Sequence, residues 1–314
     1  GLAFCEINVQ KGQTMSTYYM VRIEEEGFKK HILDNAASEI KESEKLFDDY
    51  SKKSEISQVN SAAYKNPIRV TDELAWVVRG ALKIAKESGG CFDPTVRPLA
   101  ELWGFKGDFK EFPSPEEVAL ALNSVGWENL SLDSSRISFK KPGLSLDLGG
   151  IAKGYAVDRA VKVLKDSSVH NALVEIGGDI YCLGSGPEGK GWKIGIQHPK
   201  MHGAVIATVT VSDLAVATSG NYEKFFVYQG RRYSHIIDPR SGYPAQNELL
   251  SATVLAPNCM DADGWATAFF VMGLEPAQEL VELKEDLELI LISETEQGID
   301  IWVSSGLRDK IEIL

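Results

Sequence analysis

The sequence lacks long apolar runs, paired cysteines and an excess of positive charge. No apolar run approaches the roughly 18–20 residues that a membrane-spanning helix needs. The four cysteines lie far apart and form no CxxC pair, which argues against a metal–thiolate site and gives no indication of disulfides. A net charge of −12 argues against a nucleic-acid surface or an anionic membrane patch. We therefore expect no nucleic acid among the partners.

The sequence also lacks the short motifs of the commonest nucleotide-binding and hydrolytic enzymes. Walker A, HExxH and GxSxG sequences are absent. GSGPEG at 184–189 matches GxGxxG formally, but Pro187 lies inside it and the strand-like WKIGI follows where that fingerprint needs a helix. We expect a hairpin loop at this position and no dinucleotide site.

The length of the chain allows one large domain or two ordinary ones, and its apolar content is sufficient for a core. Its 314 residues are 44% hydrophobic and 25% charged, as in a globular protein. Helical periodicity or capping signals occur at about 29–50, 71–88, 115–124, 151–164, 261–272 and 276–284. Strand-like alternation occurs in ALVEIG, WKIGIQ, AVIATVTV, FFVYQ, YSHIID, LELILIS and GIDIWVS. This mixture predicts an α+β fold with largely antiparallel sheets and helices on their outer faces.

The segment DADGWATAFF at 261–270 places a carboxylate and a hydroxyl one helical turn apart, at Asp263 and Thr267. One interpretation is a helix start, with Asp261 as the N-cap and Asp263 near the positive end of the helix dipole. The other interpretation is half of a metal site, because side chains four residues apart share one helix face. Oxygen ligands of this kind suit a hard cation such as magnesium.

The segment SLDLGGIAKGYAVDRA at 145–160 predicts a strand, a glycine turn and a helix. The strand ends at Asp147, and Lys153 lies in the first turn of the helix. Free amides at a helix N-terminus together with a lysine would bind an anion such as a pyrophosphate. The alternative is a tight strand–helix turn with a surface lysine.

His235 lies in the short apolar stretch YSHIID, just before a proline–glycine turn. A lone histidine in a strand is more often structural than catalytic. This one is close to a chain reversal, however, where the end of a strand can open into a cleft. Histidine is also the side chain best suited to move protons near neutral pH.

Eight segments, taken in chain order, resemble one family, the ApbE-type flavin transferases (FAD:protein FMN transferases). They are GQTMSTYY at 12–19, DDYSKKSEISQVN at 48–60, GGCFDPTVRPLAELWGF at 89–105, LDLGGIAKGYAVD at 146–158, EIGGDI at 175–180, ATSGNYE at 217–223, SHIIDPRSGYP at 234–244 and DADGWATAFFVMG at 261–273. These segments span nearly the whole chain, and eight in order are far more specific than any one alone.

The resemblance implies a fold and a reaction. The expected fold is a single compact α+β domain over residues 1–314, of the ApbE-like, T-toroid type, with two subdomains around a central FAD cleft and a tail at 1–11. The expected reaction is Mg²⁺-dependent transfer of FMN from FAD to a threonine or serine hydroxyl of a client protein, with release of AMP. A Mg²⁺-dependent FAD pyrophosphatase and a non-catalytic periplasmic FAD-binding protein are the alternatives.

The resemblance also implies roles for individual residues. His235 matches the histidine that acts on the acceptor hydroxyl. The metal ligands are expected to be Asp263, Thr267 and a backbone carbonyl near Gly150; Gly150 and Ala266 stand where some family members have further side-chain ligands. The expected FAD-contacting residues are Met15, Tyr50, Cys91, Phe92, Asp93, Asp147, Lys153 and Ile237.

Partners and location follow from the same resemblance. Typical clients are subunits of membrane redox complexes, and many family members are exported lipoproteins. We therefore expect a location in the periplasm or at the outer face of a bacterial inner membrane, with a leader absent from this sequence and a lipid anchor as one option. Cys5 is a candidate lipidation site, although GLAFC is a poor lipobox and an ordinary cysteine is an equal alternative.

Overall fold

The computed structural model describes residues 8–25, 27–49, 51–107 and 111–314. The helices are α1 His31–Phe47, α2 Glu55–Ala62, α3 Asp72–Glu87, α4 Arg97–Leu102, α5 Pro115–Leu122, α6 Ala152–Asp166, α7 Cys259–Met272 and α8 Leu274–Val281. The strands are β1 Asn8–Thr14, β2 Thr17–Ile23, β3 Ile68–Arg69, β4 Leu130–Asp133, β5 Arg136–Phe139, β6 Ala172–Ile176, β7 Asp179–Leu183, β8 Trp192–Gln197, β9 Val205–Val211, β10 Leu214–Gly220, β11 Phe225–Tyr228, β12 Arg231–Ser234, β13 Leu249–Ala256, β14 Glu288–Thr295, β15 Gly298–Val303 and β16 Ile311–Ile313.

An antiparallel sheet of eight strands, in the order β1-β2-β6-β7-β10-β13-β14-β15, organises the fold. Both of its faces are covered. On β14, Leu289 and Leu291 pack into the core beneath the helices, whereas Ile290 and Ile292 pack into a second core on the other face. A strand buried on both faces needs apolar residues at consecutive positions. This is why LELILIS is a continuous apolar run.

The second face of the large sheet is covered by a three-stranded sheet, in the order β16-β9-β8. In β8, the buried residues Trp192, Ile194 and Ile196 alternate with exposed ones. That alternation is typical of a strand with one covered face and one solvated face. The observed architecture confirms the predicted α+β class with mainly antiparallel sheets.

The helix α7 lies in the centre of the molecule. Eleven of its residues are buried, including Phe269 and Phe270, because it packs between the large sheet and the helices α3 and α6. A helix that is apolar or small on almost every face can be buried on all sides. Its N-cap is Asn258, whose side chain accepts a hydrogen bond from the amide of Asp261. The predicted capping role of Asp261 is therefore wrong, and the helix begins two residues earlier than we expected.

The remaining predicted helices all exist, and the capping box at Ser114 and Glu117 is confirmed. Two other expectations are wrong. GSGPEG is not a hairpin loop, because it crosses from β7 in the eight-stranded sheet to β8 in the three-stranded sheet. Residues 8–11, which we expected in a tail, belong to β1.

The described cysteines, Cys91, Cys182 and Cys259, are buried free thiols, while Cys5 lies outside the described residues. None of the described helices has the length and apolar content needed to cross a membrane.

The contact between α6 and α7 is close enough to require glycine. A Cβ atom at Gly154 would lie 2.2 Å from the carbonyl oxygen of Cys259. At Gly80, a second helical glycine, the nearest atom would be the terminal methyl of Met260, at 2.8 Å. A methionine tip can rotate away, whereas a helix backbone cannot.

We therefore expect Gly154→Ala to lower the free energy of unfolding by about 1–3 kcal/mol, as overpacking does. Gly80→Ala is the matched control; we expect a change within about 1 kcal/mol, since alanine also favours the helix. Urea denaturation of both variants tests this difference. Equal effects of the two substitutions would contradict the close approach of α6 and α7.

Candidate functional site

The site is a cleft of about 480 Å³ at the N-terminal end of α6 and along one side of α7. Eleven of the twelve residues selected from the sequence line it: Met15, Cys91, Phe92, Asp93, Asp147, Gly150, Lys153, His235, Ile237, Asp263 and Thr267. Tyr50, the twelfth, lies outside the described residues. Ala266 is fully buried in the apolar core and is not part of the cleft wall.

Asp263 and Thr267 lie together on the cleft side of α7. Oδ2 of Asp263 accepts a hydrogen bond of 3.1 Å from the amide of Gly154, which leaves Oδ1 closer to the cleft lysine. The hydroxyl of Thr267 lies 3.2 Å from that of Ser219 on β10. A Cβ atom at Gly150 would lie 3.2 Å from the Thr267 hydroxyl. The glycine turn therefore packs directly against the Thr267 hydroxyl.

Lys153 stands among three carboxylates. It forms an ion pair with Asp179, which is 1% exposed, and its Nζ lies 3.5 Å from Oδ1 of Asp263. Burial alone would lower the pKa of Lys153, but the charges of Asp179 and Asp263 raise it on balance. Burial and the neighbouring Asp263 raise the pKa of Asp179, and burial also raises the pKa of Glu223. Lys153 is therefore charged, and it is held on the cleft wall.

Sequence reasoning missed Asp179 and Glu223. Both lie in segments that we singled out for their glycines, EIGGDI and ATSGNYE; Asp179 directly follows Gly178, and Glu223 lies three residues after Gly220. The available signal was a carboxylate at the first position of an apolar strand, which is where Asp179 lies in β7. Nothing in the local sequence shows that both side chains reach the same lysine.

The residues at this position fit a hard cation. Among the described residues, no group of three or more His, Cys, Asp or Glu side chains has the arrangement of a metal site. The side-chain donors present are the Asp263 carboxylate and the Thr267 hydroxyl, with Gly150 of the glycine turn beside them. Oxygen donors with few carboxylates are typical of a cation that also binds substrate phosphates. Among the described cations, Lys153 alone contacts Asp179 and Asp263.

The glycine turn before α6 differs from our expectation. The amide of Gly149 donates to Oδ1 of Asp147 at 2.8 Å, and the amides of Ile151 and Ala152 donate to the carbonyl oxygen of Leu148. Three of the four amides at 149–152 therefore have intramolecular partners. The prediction of free amides for an anion holds only for Gly150, and Lys153 is the main positive charge of this wall.

His235 lies at the opposite side of the cleft, one residue after β12. Its Nδ1 is 3.0 Å from the carbonyl oxygen of Lys224. A carbonyl can only accept a hydrogen bond, so Nδ1 carries the proton and Nε2 has a free lone pair. Burial, together with the charges of Lys224 and Lys153, lowers the pKa of His235 to about 4. The ring is therefore a neutral base at neutral pH.

Two of the predicted FAD-contacting carboxylates have structural partners. Asp93 accepts hydrogen bonds from the amide and hydroxyl of Thr95 and from the amide of Trp127, and burial raises its pKa. Asp147 closes the glycine turn and lies 3.6 Å from Nζ of Lys106. Asp93 therefore stabilises the backbone of the cleft wall, whereas Asp147 lies at the surface of that wall.

A second group of charges, which sequence reasoning also missed, lies on the wall formed by residues 48–49 and 96–106. The carboxylate of Asp49 is 5% exposed and pairs with both Arg97 and Lys106. Asp49 and Lys106 line the cleft. These partners are about 50 residues apart in the chain, so no local spacing could reveal them.

Met15 lies in the turn between β1 and β2. Its φ is 47° and that of Ser16 is 60°, so both residues have left-handed backbone conformations. The amide of Met15 donates to the carboxylate of Glu44 on α1 at 2.7 Å. This contact holds the tight turn against α1 and keeps Met15 on the cleft wall.

Comparison with known proteins gives extensive matches. The model of the ApbE family matches residues 15–291. The FAD:protein FMN transferase of Haemophilus influenzae is 36% identical, over 96% of this chain and 90% of that protein. The solved flavin transferase ApbE from Vibrio cholerae has a TM-score of 0.88 at 32% identity, over 96% of this chain and 98% of that one. The ApbE protein from Thermotoga maritima has a TM-score of 0.86 at 33% identity, over 95% and 97%. The family match includes every residue that lines the cleft.

The pKa of His235 gives a direct test of the site's electrostatics. We expect NMR titration of its ring to give a midpoint near 4, below the ordinary value of about 6.5. An unfolded histidine takes up a proton below pH 6.5, whereas the folded one does so only near pH 4. The free energy of unfolding should therefore fall as the pH decreases through this range. A midpoint near 6.5 would contradict the burial of the ring.

Proposed function

This chain belongs to the ApbE family and is a flavin transferase, and we propose that it moves FMN from FAD to a hydroxyl group of a protein acceptor. One observation carries the proposal. A single cleft joins a pair of oxygen ligands at Asp263 and Thr267, a charged lysine at Lys153 and a neutral base at His235. A protein that only bound FAD would need neither the base nor the ligand pair.

The chemistry is phosphoryl transfer, in which catalysis depends mainly on positioning and charge neutralisation. The acceptor oxygen bonds to the FMN phosphorus, the bridging P–O bond of the pyrophosphate breaks, and AMP leaves. We propose that Mg²⁺ binds at Asp263, Thr267 and a carbonyl near Gly150, where it would neutralise charge on the phosphate oxygens. Lys153 lies beside this position and stabilises the negative charge that remains.

The acceptor hydroxyl is a poor nucleophile at neutral pH, so its proton needs a base. Nε2 of His235 is suited to this role, because Nδ1 is held by the carbonyl of Lys224 and the ring is neutral. Burial of the ring keeps it unprotonated well below neutral pH. The ring is therefore in its proton-accepting form throughout the physiological range, and its low pKa makes it a weaker base than an ordinary histidine.

The nature of the client is a further part of the proposal. Family resemblance supports a threonine or serine acceptor on a subunit of a membrane redox complex. It also supports a periplasmic location, with a lipid anchor as one option. The remaining expected FAD contacts, at Met15, Cys91, Phe92 and Ile237, lie on the cleft wall and are proposed to hold the flavin.

The reaction can be tested by incubating the protein with FAD, Mg²⁺ and a redox-complex subunit that carries an acceptor threonine. We expect a client mass increased by FMN and an equal amount of AMP. FMN and AMP without an adduct would support a FAD pyrophosphatase, which uses water as the acceptor at the same site. Intact FAD would contradict both reactions and leave only binding.

His235→Ala should lower the transfer rate by about 10²–10⁴-fold, the usual contribution of a general base, while FAD binding is retained. His202→Ala is the matched control, since His202 is exposed and outside the cleft. Adduct formation and FAD affinity are measured for both variants. A normal transfer rate in His235→Ala would exclude His235 as the base.

Asp263→Ala should abolish Mg²⁺-dependent turnover, because it removes the one carboxylate of the proposed ligand pair. Asp261→Ala is the control on the same helix, since Asp261 does not line the cleft. AMP release is measured over a range of Mg²⁺ concentrations. An unchanged magnesium dependence in Asp263→Ala would remove this residue from the metal site.

A further inference from the structure

The hairpin formed by β11 and β12 stands apart from the other sheets. Its turn is the two-residue pair Gln229 and Gly230, with φ values of 49° and 77°, as in a type I′ turn. Within the described part of the chain, neither strand pairs with a third strand. Among the residues that the structure describes, both edges of this ribbon therefore lack a strand partner.

The positions of the backbone groups at these edges follow from the register. The amide of His235 donates to the carbonyl of Lys224 at 3.0 Å, so these two residues form a hydrogen-bonded pair. The pairs alternate along an antiparallel ribbon, which makes Phe226 with Tyr233 the next such pair. The N–H and C=O groups of Phe225 and Val227 therefore point away from β12, towards the open edge of β11.

A groove lies beside the first two residues of β11 and leads into the cleft. A cavity of about 380 Å³ is lined by the consecutive residues 223–226 and, opposite them, by residues 103–105. Phe105, Glu223 and Lys224 line both this cavity and the cleft described above. A chain segment placed along the outer edge of β11 and continued past Lys224 would therefore enter the cleft that His235 lines.

The two faces of the hairpin differ in a way that suits docking. On the inner face, Phe226 and Tyr233 are stacked on the buried ring of Trp103 and fix the position of the ribbon. On the outer face, Phe225 is 41% exposed and Val227 is 62% exposed. The ribbon is thus anchored from one side and presents apolar side chains on the other.

We propose that the client protein binds by adding its acceptor segment, in extended conformation, as a third strand on the open edge of β11. This inference rests on the proposed transfer of FMN to a protein hydroxyl. Main-chain hydrogen bonds to Phe225 and Val227 hold the segment, and the groove guides its hydroxyl to Nε2 of His235. Strand addition binds mainly through the backbone and so accepts varied flanking side chains.

The test uses Val227→Pro, which removes one outward N–H without removing a β11–β12 hydrogen bond. Val227→Thr is the control, because it changes the side chain and keeps that N–H. The probe is a purified redox-complex subunit that the unsubstituted chain flavinylates, titrated at saturating FAD. We expect the KM for this subunit to rise about tenfold in Val227→Pro and to change less than about twofold in Val227→Thr. The affinity for FAD should be unchanged in both.

Other results separate the proposals. If the unsubstituted chain flavinylates the subunit and Val227→Pro has the same KM, strand addition is overturned while the proposed function stands. If the unsubstituted chain forms no adduct, the proposed function fails and the docking proposal falls with it. If light scattering shows a dimer that Val227→Pro dissociates, the edge of β11 binds a second copy, and the client proposal is overturned.

Discussion

The site depends on one buried ion pair, between Lys153 and Asp179. It joins the first turn of α6 to the start of β7, and Asp263 on α7 approaches the same ammonium group to 3.5 Å. Three elements that are distant in sequence therefore meet at one charge. Loss of the lysine would leave the buried Asp179 carboxylate without its ion-pair partner, which is far more costly than loss of an exposed ion pair. The lysine is thus part of the frame of the cleft as well as a candidate phosphate ligand.

Gly154, the residue after this lysine, allows α6 and α7 to approach each other closely. At Gly154 the backbone of α6 approaches that of α7, and the Gly154 amide donates to Asp263. The same contact that packs the helices therefore orients the carboxylate of the proposed metal site. Asp158, one turn further along α6, accepts hydrogen bonds from the amides of Cys259 and Met260 at the start of α7. The same contacts pack the two helices and orient the side chains of the site. This explains why the segments 145–160 and 261–270 were both conspicuous in the sequence.

Sequence reasoning predicted those parts of the molecule that depend on local order. Periodicity predicted the helices, and the spacing of Asp263 and Thr267 correctly placed both on one face of α7. It failed for a distant partner, since Asp179 and Lys153 are 26 residues apart in the chain. It also missed two local contacts, the Asn258 cap and the amides already used in the glycine turn, because a residue pattern does not show which backbone groups are paired. The second charge group around Asp49 belongs to the same class. Local pattern thus predicts which residues line a cleft better than which of their atoms are free.

We propose that FAD and a divalent cation bind together between α6, α7 and His235. The most direct measurement is an anomalous difference map from crystals grown with FAD and Mn²⁺, as a substitute for Mg²⁺. We predict a peak within about 2.5 Å of oxygen atoms of Asp263 and Thr267, with the FAD pyrophosphate beside it and next to Lys153. A peak elsewhere, or FAD bound outside this cleft, would contradict the account.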